Sequence, residues 1–205
     1  MIMAIELIFR NKSQESSNLT IAICYRHNPG SSDDRAVAWQ VIKNCAVGNF
    51  HPFKYPLDFY VGASDSDGNY MSPIHADCGD SFEVVMESSG HVLKKKPGQS
   101  SSPDTIEVMN CLDKGAISAN ILKSWNLFDI LKNIYPQSKA AFMFKPRIWL
   151  GVVPEHVKEG DIMTGDTLQN VNTELSLLGI NRANIVMSGG GDSGRDISFA
   201  LENIS

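Results

Sequence analysis

Residues 5–10 read Ile5-Glu6-Leu7-Ile8-Phe9-Arg10, and their alternation decides the fold class. Ile5, Leu7 and Phe9 would leave one face of an extended chain while Glu6 and Arg10 leave the other. That is the pattern of a half-buried strand, because successive side chains point to opposite sides of a pleated backbone. After a polar, turn-like stretch at 11–18, a second strand is expected over Leu19–Tyr25. His27 to Asp34 (HNPGSSDD) is dense in loop formers. Residues 36–43 admit two readings. Val37, Trp39 and Val41 alternate as in a strand, whereas Asp33 or Asp34 could cap a helix carrying Val37, Val41 and Cys45 on one face. The β-branched and aromatic content favours the strand.

Further along, Leu57–Ala63 reads as a strand, and Asp65-Ser66-Asp67-Gly68-Asn69 as a turn built on the favoured Asp-Gly pair. Phe82–Glu87 and His91–Lys95 flank Ser88-Ser89-Gly90 as a hairpin. Residues 97–104 (PGQSSSPD) form a loop inside a domain, since strand-like sequence continues on both sides. Strands are then expected at Thr105–Met109, Ala116–Leu122, Ala140–Phe144, Ile148–Val153, Thr173–Leu178, Ile185–Met187 and Ile197–Leu201. Two segments could be helical: Ser124–Tyr135, with Leu127, Leu131, Ile134 and Tyr135 on one face and Pro136 as the stop, and the run Leu168, Val171, Leu175, Leu178. Short strands between Gly, Pro, Asn and Asp turns predict a mainly β protein. The expected architecture is an antiparallel β-sandwich of jelly-roll-like character, with room for one or two short helices, as a single domain over residues 1–205. The regular strand–helix alternation of a parallel sheet is missing.

The 205 residues include 18 basic and 23 acidic side chains, a net charge of −5, with 42 % apolar and 20 % charged residues. A general nucleic-acid binder needs a strongly basic surface, so that class is disfavoured. The one basic run, Lys94-Lys95-Lys96, reads as a solvated edge that discourages strand pairing. The opening residues lack the charged n-region and cleavage site of a signal peptide. No stretch has the length of a membrane-spanning helix. A cytoplasmic protein is therefore expected. Cys24, Cys45, Cys78 and Cys111 form no CxxC pair and are expected to be reduced and mostly buried.

Several motifs invite a chemical reading. Gly191-Asp192-Ser193-Gly194 spells the tetrapeptide around a serine-protease nucleophile, but no histidine partner stands in a matching context and only eleven residues follow; a hairpin tip is the better reading. The same glycines lack the Gly-Lys-Ser/Thr ending of a phosphate loop. His75, Asp77 and Glu83 loosely follow the first metal motif of cupins and form the alternative reading, a metal-dependent enzyme holding a divalent ion. Asp77 stands there in place of the second histidine, and Glu83 is one residue too far. Asp65 to Asn69 resembles half of a calcium loop, but the twelfth position is Ala76 rather than a glutamate. Among the aromatic residues, Trp149 sits in an apolar strand and reads as core. Trp125, in the polar context Lys123-Ser124-Trp125-Asn126, is set for exposure. Trp125 and Tyr70 are the candidate ligand-binding residues.

The segments IELIFRNKS (5–13), AICYRHNPG (22–30), AVAWQVIKNCAVGNFHPFKYPLDF (36–59) and AAFMFKPRIWLGVVPEHVKEGDIM (140–163) together resemble RhiA-type proteins, which are rhizosphere-expressed in bacteria. The stretch 124–135 departs from that resemblance. It implies an abundant, mainly β bacterial protein and brings no catalytic residues with it. The expected function is binding or self-association without catalysis, with a carbohydrate, a lipid surface or a protein as partner, and a homo-oligomer as one form of it.

Overall fold

A computed structural model describes residues 4–15, 18–191 and 196–205. Its elements run in the order β1 (Ala4–Asn11), β2 (Thr20–His27), β3 (Arg35–Ile42), β4 (Phe50–Pro56), β5 (Phe59–Asp65), β6 (Tyr70–Ala76), β7 (Asp80–Glu87), β8 (Gly90–Gln99), β9 (Thr105–Asn110), β10 (Ile117–Lys123), β11 (Asn126–Ile134), β12 (Lys139–Met143), β13 (Arg147–Val153), β14 (Ile162–Met163), α1 (Gly165–Gln169), β15 (Thr173–Ser176), β16 (Arg182–Ser188) and β17 (Ser198–Glu202). The protein is mainly β, in antiparallel-dominated sheets of the sandwich class. Its strands gather into two compact units: Met1–Leu57 with Pro146–Ser205, and Asp58–Lys145.

The first unit holds a four-stranded sheet, β17-β16-β1-β4, and a five-stranded one, β14-β3-β2-β13-β15. In β1 the period of two holds: Ile5, Leu7 and Phe9 are buried, Glu6 is exposed, and Arg10 is half-buried. β1 runs antiparallel to β4 and parallel to β16. Trp39 of β3 meets Tyr55 of β4 edge-on, with ring centroids 5.6 Å apart, which ties one sheet to the other. The five-stranded sheet is buried on both faces. Ile21 and Ile23 leave β2 on one side; on the other, Ala22 and Cys24 join Ala36, Ala38, Trp149, Met163, Leu168 and Val171 in an apolar cluster. This is why β2 reads as a continuous apolar run rather than an alternating one. Gly151 in β13 makes the cover possible. A Cβ there would lie 2.0 Å from the Asn170 carbonyl oxygen, so only a bare backbone fits beneath the end of α1.

The second unit pairs the sheets β11-β10-β5-β6 and β12-β9-β7-β8. Its pairings are antiparallel apart from β7 with β9. Phe59, Val61, Ile117, Ile121 and Phe128 of one sheet, and Phe82, Val84, Ile106, Val108 and Phe142 of the other, are buried. Phe144 stacks on both Phe59 and Phe142. Full burial of each such side chain contributes about 1.5–3 kcal/mol.

Several local expectations change. Ser124–Tyr135 is not helical: it is a turn followed by β11. Two register shifts against β10 each insert one extra residue into β11, so its apolar residues fall three or four apart and imitate a helix. The Leu168–Leu178 run yields only the five-residue α1 and then strand β15. Tyr70–Ala76, not assigned a strand from the sequence, forms β6, an edge strand whose Pro73 needs no ladder donor. Lys94-Lys95-Lys96 lies exposed within edge strand β8, with Lys94 and Lys95 paired to Glu87 and Asp80. The cysteines are unpaired, but of the four only Cys24 is fully buried and Cys78 is exposed. Asp192, Ser193 and Gly194 of the protease-like tetrapeptide lie outside the described residues. The preceding glycines are packed closely: a Cβ at Gly189 would fall 2.1 Å from the Asp196 carbonyl oxygen, and one at Gly191 2.6 Å from that of Gln14. Among the described residues no helix is long and apolar enough to cross a membrane.

Candidate ligand groove

Lys123 and Asn126 are directly paired, so Ser124 and Trp125 alone connect β10 to β11. Both have positive φ, +49° and +66°. This is the signature of the tight hairpin turn whose twist matches its strands, a turn normally given to Asn-Gly. A tryptophan held in the left-handed region costs about 1–2 kcal/mol. It is 67 % exposed, so burial does not offset that cost. What it gains is a stack on Tyr60 of β5, with centroids 4.8 Å apart and ring planes 27° from parallel. Tyr60 in turn meets His75 of β6 edge-on at 5.5 Å.

The register of the four strands orders the rest of this outward face into three rows. The first row crosses Leu127, Leu122, Tyr60 and His75, with Trp125 at its end. In the second, Ile130 faces Asn120 and Asn120 faces Gly62. In the third, Ser118 faces Ser64 and Ser64 faces Tyr70, with Lys132 on the β11 side. Rows are two residues apart, so the first and third lie about 13 Å apart along the strands. Gly62, at the centre, is buried, and a Cβ there would make ordinary contacts with Pro73 and Asn120. A groove of about 660 Å³ results, with Trp125 at one end and Tyr70, 80 % exposed, at the other. Asn120 lines it, and its Oδ1 is shut off from water with no hydrogen-bond partner among the described residues. An unmet buried acceptor of this kind costs about 1–3 kcal/mol.

The charges around the groove are unequal in their freedom. Asp65 at the turn end accepts from the Asp67 and Asn69 N–H groups at 3.0 and 2.9 Å, and from the Asn69 amide at 3.0 Å. Its other oxygen also meets His91 Nδ1 at 2.9 Å. The Asn69 contacts, with help from His91, hold its carboxyl well below the usual carboxylate range. The half calcium loop therefore folds as a hairpin turn in which the carboxylate serves its own backbone. On the inward side of the β10–β11 hairpin, Lys123 is buried with its ammonium 3.8 Å from the Phe59 ring centroid. Burial brings its pKa down to about 7, against the opposing pull of Asp58 and Cys78.

The structure thus brings Trp125 and Tyr70 to one groove. It does not bring together the cupin-like set. His75 is exposed on β6 and stands beside Tyr60, Asp77 is exposed in the following turn, and half-buried Glu83 on β7 faces the Cys111 thiol at 3.9 Å. Among the described residues no three His, Cys, Asp or Glu side chains gather as a metal would require. Tyr60, Gly62 and Asn120 escaped the sequence reading. Their only signal was the outward half of a strand, Tyr60-x-Gly62-x-Ser64, whose meaning depends on which strand lies beside it. A groove of about 420 Å³ on the first unit, around Ile8, Pro52 and Phe53, offers less. Its Glu6 and Arg182 are already joined to each other, with Nε and Oε2 2.9 Å apart. Comparison with known proteins adds no relative to this geometry: no family profile, no curated protein and no solved structure matches the chain.

Proposed function

We propose that the chain is a carbohydrate-binding protein that works through the outward face of the sheet β11-β10-β5-β6. The observation that carries this reading is Trp125, held in a strained turn, exposed, and stacked on Tyr60 at the mouth of a groove lined by polar side chains. A sugar ring has an apolar face of C–H groups, slightly positive, and a rim of hydroxyls. The first suits the negative face of an indole; the second suits Asn120, Ser64 and Ser118. Charge argues against an anionic lipid surface as the ligand, since the chain is net −5 and, among the described residues, Lys132 is the one cationic side chain lining the groove.

A glycan array followed by calorimetry tests the reading. The wild type should retain at least one glycan, and Trp125→Ala should weaken that binding tenfold or more, because a stacking anchor is worth about 1–3 kcal/mol. The far-ultraviolet circular dichroism should stay unchanged. An array with no retained glycan, or a Trp125→Ala variant that binds as tightly as the wild type, would sink the proposal.

A further inference from the structure

Resting on that reading, the geometry points to the ligand class: we infer that the groove takes an acidic oligosaccharide, laid along the strands and longer than one sugar, with its anionic group at the Lys132 end. Length follows from register. The stacking row at Trp125 and Tyr60 and the polar row at Ser64, Ser118 and Tyr70 are about 13 Å apart, more than one sugar ring spans. A single ring on Trp125 would leave the far row unused. Asn120 lies midway and lines the groove, so a middle residue would pass over it.

Charge follows from which groups remain free. Among the described residues, Asp65 and Lys132 are the two ionised side chains that line the groove. Asp65 is consumed by its turn and by His91. Lys132 is exposed and, among the described residues, makes no ion pair. The uncommitted charge of the groove is therefore positive, and it sits in the row furthest from the stacking rings. A carboxylate or sulfate on the sugar there would complete the pairing.

Calorimetric titration with oligogalacturonates of one to four residues, beside neutral cello-oligosaccharides of the same lengths, tests the inference. Affinity for the acidic series should rise with each residue up to about the trimer, and at equal length exceed that for the neutral series. Lys132→Gln should lower acidic affinity about fivefold, within the range of an exposed ion pair, remove most of its salt dependence, and leave neutral binding unchanged. Equal affinity for acidic and neutral chains, indifference to Lys132→Gln, or a monomer bound as tightly as a trimer would overturn it. If acidic and neutral chains of equal length bind equally and Trp125→Ala abolishes the binding of both, the carbohydrate reading survives while the acidic assignment falls. If neither series binds and the array is also blank, both fall.

Discussion

Trp125 sets function against stability within one side chain. Glycine in its place relieves about 1–2 kcal/mol of left-handed strain and forfeits a ring stack worth about 0.5–1.5 kcal/mol. Trp125→Gly should therefore stay within about 1 kcal/mol of wild-type stability in urea titration while losing glycan affinity; a loss above 3 kcal/mol would mean the indole is a structural prop. Lys123 gives the second test at this scale. Its amine titrates near 7 when folded and near 10.5 when unfolded. Between those values the unfolded chain binds more protons, so stability should rise with pH across that window, by up to about 1.4 kcal/mol per pH unit. Lys123→Met should remove that rise, and it should be the more stable protein at pH 6. Parallel pH–stability curves for the two proteins would contradict the burial of the charge. The residues themselves were unequally legible. Trp125 could be picked out because its own neighbours are polar, whereas Tyr60, Asn120 and Gly62 become a site only when β5 and β10 lie side by side, a long-range fact that no local window contains.

The elements that could be read directly were those whose environment matches a simple period. β1 alternates because one face is wet; β13 was visible because a buried strand bounded by Pro146 and Pro154 is short and apolar. β6 was missed because an exposed edge strand has no apolar face to betray it, and β11 was blurred by its two bulges. Gly151 looks unremarkable in the sequence, yet β13 depends on it. Gly151→Ala should destabilise the protein by about 3 kcal/mol, because the methyl group would meet the backbone of Asn170 and Val171, which cannot turn aside as a side chain can. Chemical denaturation measures this; a change under 1 kcal/mol would mean that the α1 segment shifts freely over the sheet.

At the scale of the whole molecule, the expected sandwich architecture holds, built from two compact units with their own pairs of sheets. The insertion of residues 58–145 between β4 and β13 carries no compositional mark, since both units draw on the same apolar and turn residues. The tryptophans happen to be distributed so that ligand binding can be located directly. Trp39 is fully buried and Trp149 nearly so in the first unit, and Trp125 is exposed in the second. With ¹⁵N-labelled tryptophan, the protein should give three indole N–H resonances, and titration with a retained glycan should move that of Trp125 while those of Trp39 and Trp149 stay in place. A glycan that shifts the Trp149 or Trp39 resonance and leaves Trp125 untouched would show that the binding face lies elsewhere.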